Sequence, residues 1–430
     1  MKTIKIHIKQ LGAVRNSSIE IKPLMIFSGE SGLGKSYVAI LVHYFYKLLG
    51  EQRLQHFFVS EGLGYETLAA SNTDSGSITV VVSQLTTWIN QDACDYMRKS
   101  VGNPDMVVDI NFEIPFSHQE YTLSYHNEQI GLEGKEEQYV IFKFAEKGIR
   151  INADSKNIGG LAWSMLLSDI LLEDLFDTST IDQTFAMVPG RGALLTIPIT
   201  MQERIRSNGD IYSEFLNDWN VVQSMPPRKM IDEYLLERLS YINGGSIEVD
   251  DNGRVLYRLI DGYALPISAA ASSIKELAPL YVLLDKYPSN HLSILFEEPE
   301  AHLHPQKQVD IADFVVAGVN HGMHLQITTH SDYFLRRLND RIFLYKIADF
   351  SQDAYKETIL KFGYTDLMVN PSLIGSYLLQ RHYDGSVQVV SQDIEHGIPY
   401  ETFYHVISKE TRYSLDIQQK YFNLLQAHAE

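Results

Sequence analysis

The 430-residue sequence predicts an α/β fold: a mixed sheet flanked by helices, interrupted by a large mixed α+β insertion and lacking a long coiled coil. Three observations carry this expectation. A strand candidate ending in Leu24-Met25-Ile26-Phe27 runs directly into a glycine-rich loop and then an apolar helix from Tyr37 to Leu49. From Ser273 onward, helix and strand candidates alternate as parallel α/β units do. Between these parts no sustained heptad repeats.

In chain order, Ile4-Lys5-Ile6-His7-Ile8 has the period of two expected of a half-buried strand. The inserted region, 52–245, contains strand candidates at Ile78–Val82 and Val107–Ile114 and helical patterns at Leu85–Lys99 and Gln202–Ile242, the last interrupted by Pro226-Pro227. Ser246–Asp250 and Arg254–Ile260 flank Asp251-Asn252-Gly253, a hairpin signal because Asn and Gly tolerate positive φ. Strands are expected at Ser293–Phe296, Leu325–Thr328 and Ile342–Tyr345. The expected organisation is therefore an N-terminal part of the head at 1–51, the insertion at 52–245, a C-terminal part of the head at 246–347 and a mixed extension at 348–430.

Composition bounds the function. A hydrophobic content of 45% suffices for a sizeable core, and no apolar run reaches the length of a membrane span. The N-terminus alternates lysine with isoleucine, unlike a signal peptide, so a cytoplasmic chain without membrane partners is expected. One cysteine, Cys94, cannot form an internal disulfide. With 36 basic and 54 acidic residues the net charge is −18, so nucleic acid would need a local basic patch.

Gly29-Glu30-Ser31-Gly32-Leu33-Gly34-Lys35-Ser36 has the spacing of a phosphate-binding loop between a strand and a helix. The glycines let backbone N–H groups turn toward phosphate oxygens; Lys35 reaches the β and γ phosphates, and Ser36 ligates Mg²⁺. ATP and Mg²⁺ are the expected ligands. Ile294-Leu295-Phe296-Glu297-Glu298 is an apolar strand ending in two carboxylates. Glu297 is expected to hold Mg²⁺ and Glu298 to polarise the attacking water as general base. His302 and His304 lack a third ligand at zinc-site spacing, and no metal is expected there.

The stretch Phe296-Glu297-Glu298-Pro299-Glu300-Ala301-His302-Leu303-His304-Pro305 resembles the Walker B and D-loop signature of ATPases of the SMC, RecF and OLD superfamily, AAA-like proteins sharing an ABC-type head. Thr328-Thr329-His330-Ser331 resembles their switch segment. The resemblance implies that His330 contacts the γ-phosphate and that two heads sandwich ATP in a homodimer or higher homo-oligomer. It further implies a signature segment at Ser272-Ser273, with Ser273 the serine expected to reach the partner's nucleotide and Lys275 a charge partner, although the usual glycine is absent. A serine helix cap is the compatible alternative. Val188-Pro189-Gly190-Arg191-Gly192 resembles a proline-to-arginine segment of such ATPases; Arg191 then reads nucleotide or partner, or is an ordinary surface arginine. Gln84 is one candidate for the Q-loop glutamine. The OLD nucleases continue into a nuclease domain, whereas only 100 residues follow His330 here, without a clear acidic cluster. The expectation is an ATPase acting as sensor or assembly subunit of an anti-phage defence system, with a separate nuclease or toxin effector. A RecF-like DNA-repair ATPase is the alternative.

Overall fold

A computed structural model describes the chain apart from residues 52, 64–74, 133–134, 153–157, 179, 227–231, 251–252, 363–366, 400–407 and 422–430. The elements are β1 (Lys5–Leu11), β2 (Val14–Glu20), β3 (Leu24–Gly29), α1 (Lys35–Gly50), α2 (Gln55–Ser60), β4 (Ser75–Val81), α3 (Val82–Ser100), β5 (Val108–Glu113), β6 (Glu120–Leu132), β7 (Lys135–Phe144), β8 (Lys147–Asn152) and α4 (Ile158–Phe176). Next come β9 (Gln183–Met187), α5 (Arg191–Leu194), α6 (Ile199–Arg206), α7 (Ile211–Ser224), α8 (Glu233–Asn243), β10 (Gly245–Val249), β11 (Val255–Leu259), β12 (Ala264–Pro266) and α9 (Ser272–Lys286). β13 (Leu292–Glu297), α10 (Pro305–Asn320), β14 (His324–Thr328), α11 (Asp332–Phe350), α12 (Gln352–Phe362), β15 (Ile374–Arg381) and β16 (Val387–Ser391) follow, and residues 408–421 form a last, solvent-exposed helix.

Nine strands form one sheet in the order β5-β1-β2-β16-β15-β3-β14-β13-β9. Its half from β15 to β9 is parallel throughout, while β5, β1 and β2 pair antiparallel. Helices cover both faces, and the alternation of strand side chains divides the core accordingly. In β3, Met25 and Phe27 enter the core beneath α1, whereas Leu24 and Ile26 enter the core shared with α9, α10 and α11. Burial on both faces explains why β3 and β13 read as continuous apolar runs. α1 is apolar nearly all round for the same reason, with twelve buried residues from Lys35 to Leu49. A second sheet, β4-β6-β7-β8, and a third, β10-β11-β12, are antiparallel.

The hairpin across Gly253 pairs Val249 with Val255, and Asp251 and Asn252 lie outside the described residues. Pro226 follows the end of α7, and Pro227 lies outside the described residues. The expected strand at Ile342–Tyr345 is instead part of α11. Leu335, Leu338 and Ile342 recur at helical spacing and are fully buried, and a four-residue apolar run alone does not distinguish helix from strand. The strand beside β3 comes later, as β15. The sheet also takes β5 and β9 from the region 52–245 and β15 and β16 from 348–430, so the region read as an insertion supplies strands at both sheet edges. Among the described residues no helix is long and apolar enough to cross a membrane, and α3, α4 and α11 have 19 residues each, far short of coiled-coil arms.

Candidate nucleotide site

The carboxyl ends of β3, β14, β13 and β9 lie side by side, and ligands of open parallel sheets bind at such ends. The register aligns Phe27 with Thr328 and Thr328 with Glu297, so the glycine loop, the Thr-Thr-His segment and the paired carboxylates leave the sheet together.

Gly29, Gly32 and Gly34 have φ of 128°, 75° and 88°, values that favour glycine, and they turn the loop from β3 into α1. A Cβ on Gly29 would lie 2.6 Å from the Leu379 carbonyl oxygen of β15, so this position tolerates no side chain. Glu30, Ser31 and Gly32 are exposed while Leu33 is buried, giving an open loop anchored on the core. The Lys35 amine is nearly buried and donates to the Gly29 and Glu30 carbonyls at 3.1 and 2.8 Å. Burial lowers its pKa to about 8, opposed by Glu298, Glu300 and Glu297.

Glu297 is 2% exposed, and its Oε2 has no hydrogen-bond partner in the structure. Burial pushes its pKa up to about 7; the Ser36 hydroxyl, Arg191 and Lys35 oppose the rise and Glu298 adds to it. A buried carboxylate oxygen without a partner, beside a serine hydroxyl, fits a divalent cation held by Ser36 and Glu297.

Glu298 has φ of 44°, a left-handed conformation that costs a non-glycine residue about 1–2 kcal/mol. Its N–H donates to the Thr328 carbonyl at 3.0 Å, which secures the turn. Its carboxylate is partly exposed and lies 4.0 Å from His330 Nε2. The His330 pKa is lowered by burial and by Lys35, with Glu298 opposing, which favours the neutral imidazole.

Two residues given little weight in the sequence are buried around these groups. Arg191, an ordinary surface arginine on one reading, is fully buried, because α5 and α9 approach so closely that a Cβ on Gly192 would meet Lys275 at 2.8 Å. It donates to the carbonyls of Val188, Glu276 and Glu297 and lies over the Phe296 ring. Glu300, 8% exposed, accepts from the Thr329 hydroxyl and the His330 N–H. Its place as the third carboxylate of Glu-Glu-Pro-Glu was a legible signal for Glu300. Tyr212, in the first turn of α7, has its pKa raised by burial and by Glu297, and no local sequence signal marks it.

The proposed signature serines lie one turn before Glu276, whose carbonyl accepts from Arg191. Ser272 and Ser273 occupy the first turn of α9, and the helix cap is Ala271, without a side-chain hydrogen bond, so the serine-cap alternative does not hold. Ser272 is exposed and Lys275 half-buried. Gln84 is exposed in the first turn of α3, a helix that packs on α1 and β5. His302 has φ of 62° and His304 caps α10 by accepting from Gln306 N–H.

Residues 194–335 match the family described as the AAA ATPase domain, a span that includes Ser272, Glu297, Glu298 and His330. That match supports an ATP-hydrolysing enzyme. Comparison with curated proteins gives no match. Among solved structures, an Smc head bound to the C-terminal winged-helix domain of ScpA is 11% identical, with 92% of this chain and 98% of that chain covered at a TM-score of 0.37. The SMC head domain from Thermotoga maritima is 10% identical, with coverages of 91% and 100% and a TM-score of 0.35. An Smc head with an extended coiled coil, bound to the C-terminal domain of ScpA derived from Pyrococcus furiosus, is 12% identical, with coverages of 95% and 99% and a TM-score of 0.37. These are likenesses of outline, and the functional reading rests on the chain's own residues.

Proposed function

We propose that the chain hydrolyses ATP at the junction of the glycine loop, Glu297-Glu298 and His330, and that two heads close on the nucleotide. The carrying observation is the convergence of these groups on neighbouring parallel strands, with His330 and Glu298 4.0 Å apart. Lys35 exchanges the Gly29 and Glu30 carbonyls for phosphate oxygens, and the loop N–H groups of residues 30–36 cradle the remainder. Ser36 and Glu297 hold Mg²⁺, whose chemistry is neutralisation of phosphate charge. Glu298 takes a proton from the attacking water, and neutral His330 orients the reacting groups. The Ser272-Ser273 turn, with Ser272 exposed and Ser273 half-buried, is the surface that meets the partner's nucleotide.

In the wider reading, the ATPase is the sensor or assembly subunit of an anti-phage defence system with a separate nuclease or toxin effector. Its support is the resemblance of the Glu-Glu-Pro-Glu and Thr-Thr-His-Ser segments and the absence of long coiled-coil arms among the described residues. Glu298→Gln should bind ATP without turning it over and accumulate as a closed oligomer. Its solution mass, measured with and without ATP and Mg²⁺, is expected to rise with nucleotide; a monomer in both conditions would reject the sandwich.

A further inference from the structure

We propose that Glu300 is a positioning residue that locks the turn after β13 to the segment after β14 and thereby fixes His330 against Glu298. The proposal rests on the ATPase reading above and deepens it.

A carboxylate at this depth is costly unless its environment answers it. Glu300 is 8% exposed, and burial pushes its pKa up. Its Oε1 accepts from Thr329 Oγ1 at 2.8 Å and from the His330 N–H at 2.7 Å. Thr329 Oγ1 in turn accepts from the Ser331 N–H at 3.1 Å, and Ser331 Oγ donates to Gln308 Oε1 at 2.6 Å while capping α11 through Phe334 N–H at 3.1 Å. One carboxylate oxygen therefore organises the whole chain segment that presents His330. From the other side, Glu298 N–H donates to the Thr328 carbonyl at 3.0 Å. The two catalytic candidates lie on segments cross-linked at both ends: residue 298 to 328, and residue 300 to 329 and 330.

The turn from Glu298 to His302 is itself tense. Glu298 and His302 hold φ of 44° and 62° without being glycines, and a strained turn keeps its shape only when its surroundings determine it. Glu300 supplies such a determinant from within the turn. Its acceptor role needs one oxygen and no charge, so glutamine should reproduce it and alanine should not.

The test compares Glu300→Ala, Glu300→Gln and Thr329→Val with wild type, reading kcat, KM for ATP, the Mg²⁺ requirement and binding of a fluorescent ATP analogue. Glu300→Ala is expected to lower kcat by about tenfold to a hundredfold, as for small displacements of reacting groups, with KM and analogue binding within about twofold of wild type. Glu300→Gln should restore kcat to within about threefold, and Thr329→Val, which removes one of the two donors, should fall between. Should Glu300→Ala fail to fold, the Gln and Val variants carry the test. The proposal is overturned if Glu300→Ala, or in its place Thr329→Val, turns over normally. It is also overturned if Glu300→Gln is inactive, or if KM or the Mg²⁺ requirement changes instead of kcat, since these would mark a direct ligand. Wild-type turnover abolished by Glu298→Gln shows that the ATPase reading stands independently. A wild type without turnover would remove both.

Discussion

Lys35 shows how a single residue of the site is prepared before any ligand arrives. Its amine is buried in the field of three carboxylates and parked on two loop carbonyls, so phosphate replaces acceptors already in place. Hydrogen bonds to charged groups contribute about 1.5–3 kcal/mol, and Lys35→Ala should weaken ATP binding by about tenfold to a hundredfold. Equilibrium binding of a fluorescent ATP analogue checks this, and unchanged affinity would place the phosphates elsewhere. Lys35, Ser36, Glu297 and Glu298 were legible in the sequence because each sits within a contiguous motif whose strand and helix context is also local. Arg191 was not legible: its burial depends on α5 meeting α9, 85 residues further along the chain. The same holds for Tyr212, which α7 brings into the field of Glu297.

At the scale of elements, α7 meets α1 through titratable groups. Lys47 of α1 pairs with Glu214 of α7 at 3.1 Å, and His43 Nε2 lies 2.8 Å from the same carboxylate. Glu214 stays ionised, its pKa held down to about 2 against burial mainly by Lys47. Asp218, one turn later, is answered less well: burial pushes its pKa up to about 8, with Lys47 opposing and Glu51 and Glu214 adding to the rise, and its Oδ2 lacks a hydrogen-bond partner. Asp218 therefore binds its proton in the folded state, but not in the unfolded chain, between the ordinary aspartate value of 3.8 and about 8, and its contribution to stability declines as pH rises through that window. Asp218→Asn does not titrate and should narrow the stability difference between pH 5 and pH 8 in urea unfolding. An unaltered difference would show that Asp218 is not the responsible group. Of the elements themselves, strands with glycine or paired carboxylates at their ends were readable, whereas the helix across Ile342–Tyr345 was missed because its apolar run is short.

Over the whole molecule, the two halves of the sheet are joined by strands distant in the sequence. β15 pairs with β3 along Ile374 to Leu379, and β16 touches β2 at Val387 and Val14, so these late strands join the antiparallel and parallel halves. Such pairings link residues some 350 positions apart and leave no local pattern, which is why 348–430 read only as an extension. A chain ending at residue 347 would lose the strand whose backbone confines Gly29 at the mouth of the loop. It is expected to fail to fold cooperatively and to bind no ATP, as judged by thermal unfolding and analogue binding. A stable, nucleotide-binding 1–347 fragment would restore the sequence-based boundary.

The central claim is that the groups gathered at the carboxyl ends of β3, β13 and β14 hydrolyse ATP with Glu298 as the base. Its most direct test is the steady-state rate of phosphate release by wild type and Glu298→Gln at saturating ATP and Mg²⁺, with nucleotide binding confirmed for both. The account predicts turnover by wild type and a loss of at least about a hundredfold in the variant, the usual scale for removing a general base. Equal rates in the two proteins would contradict it.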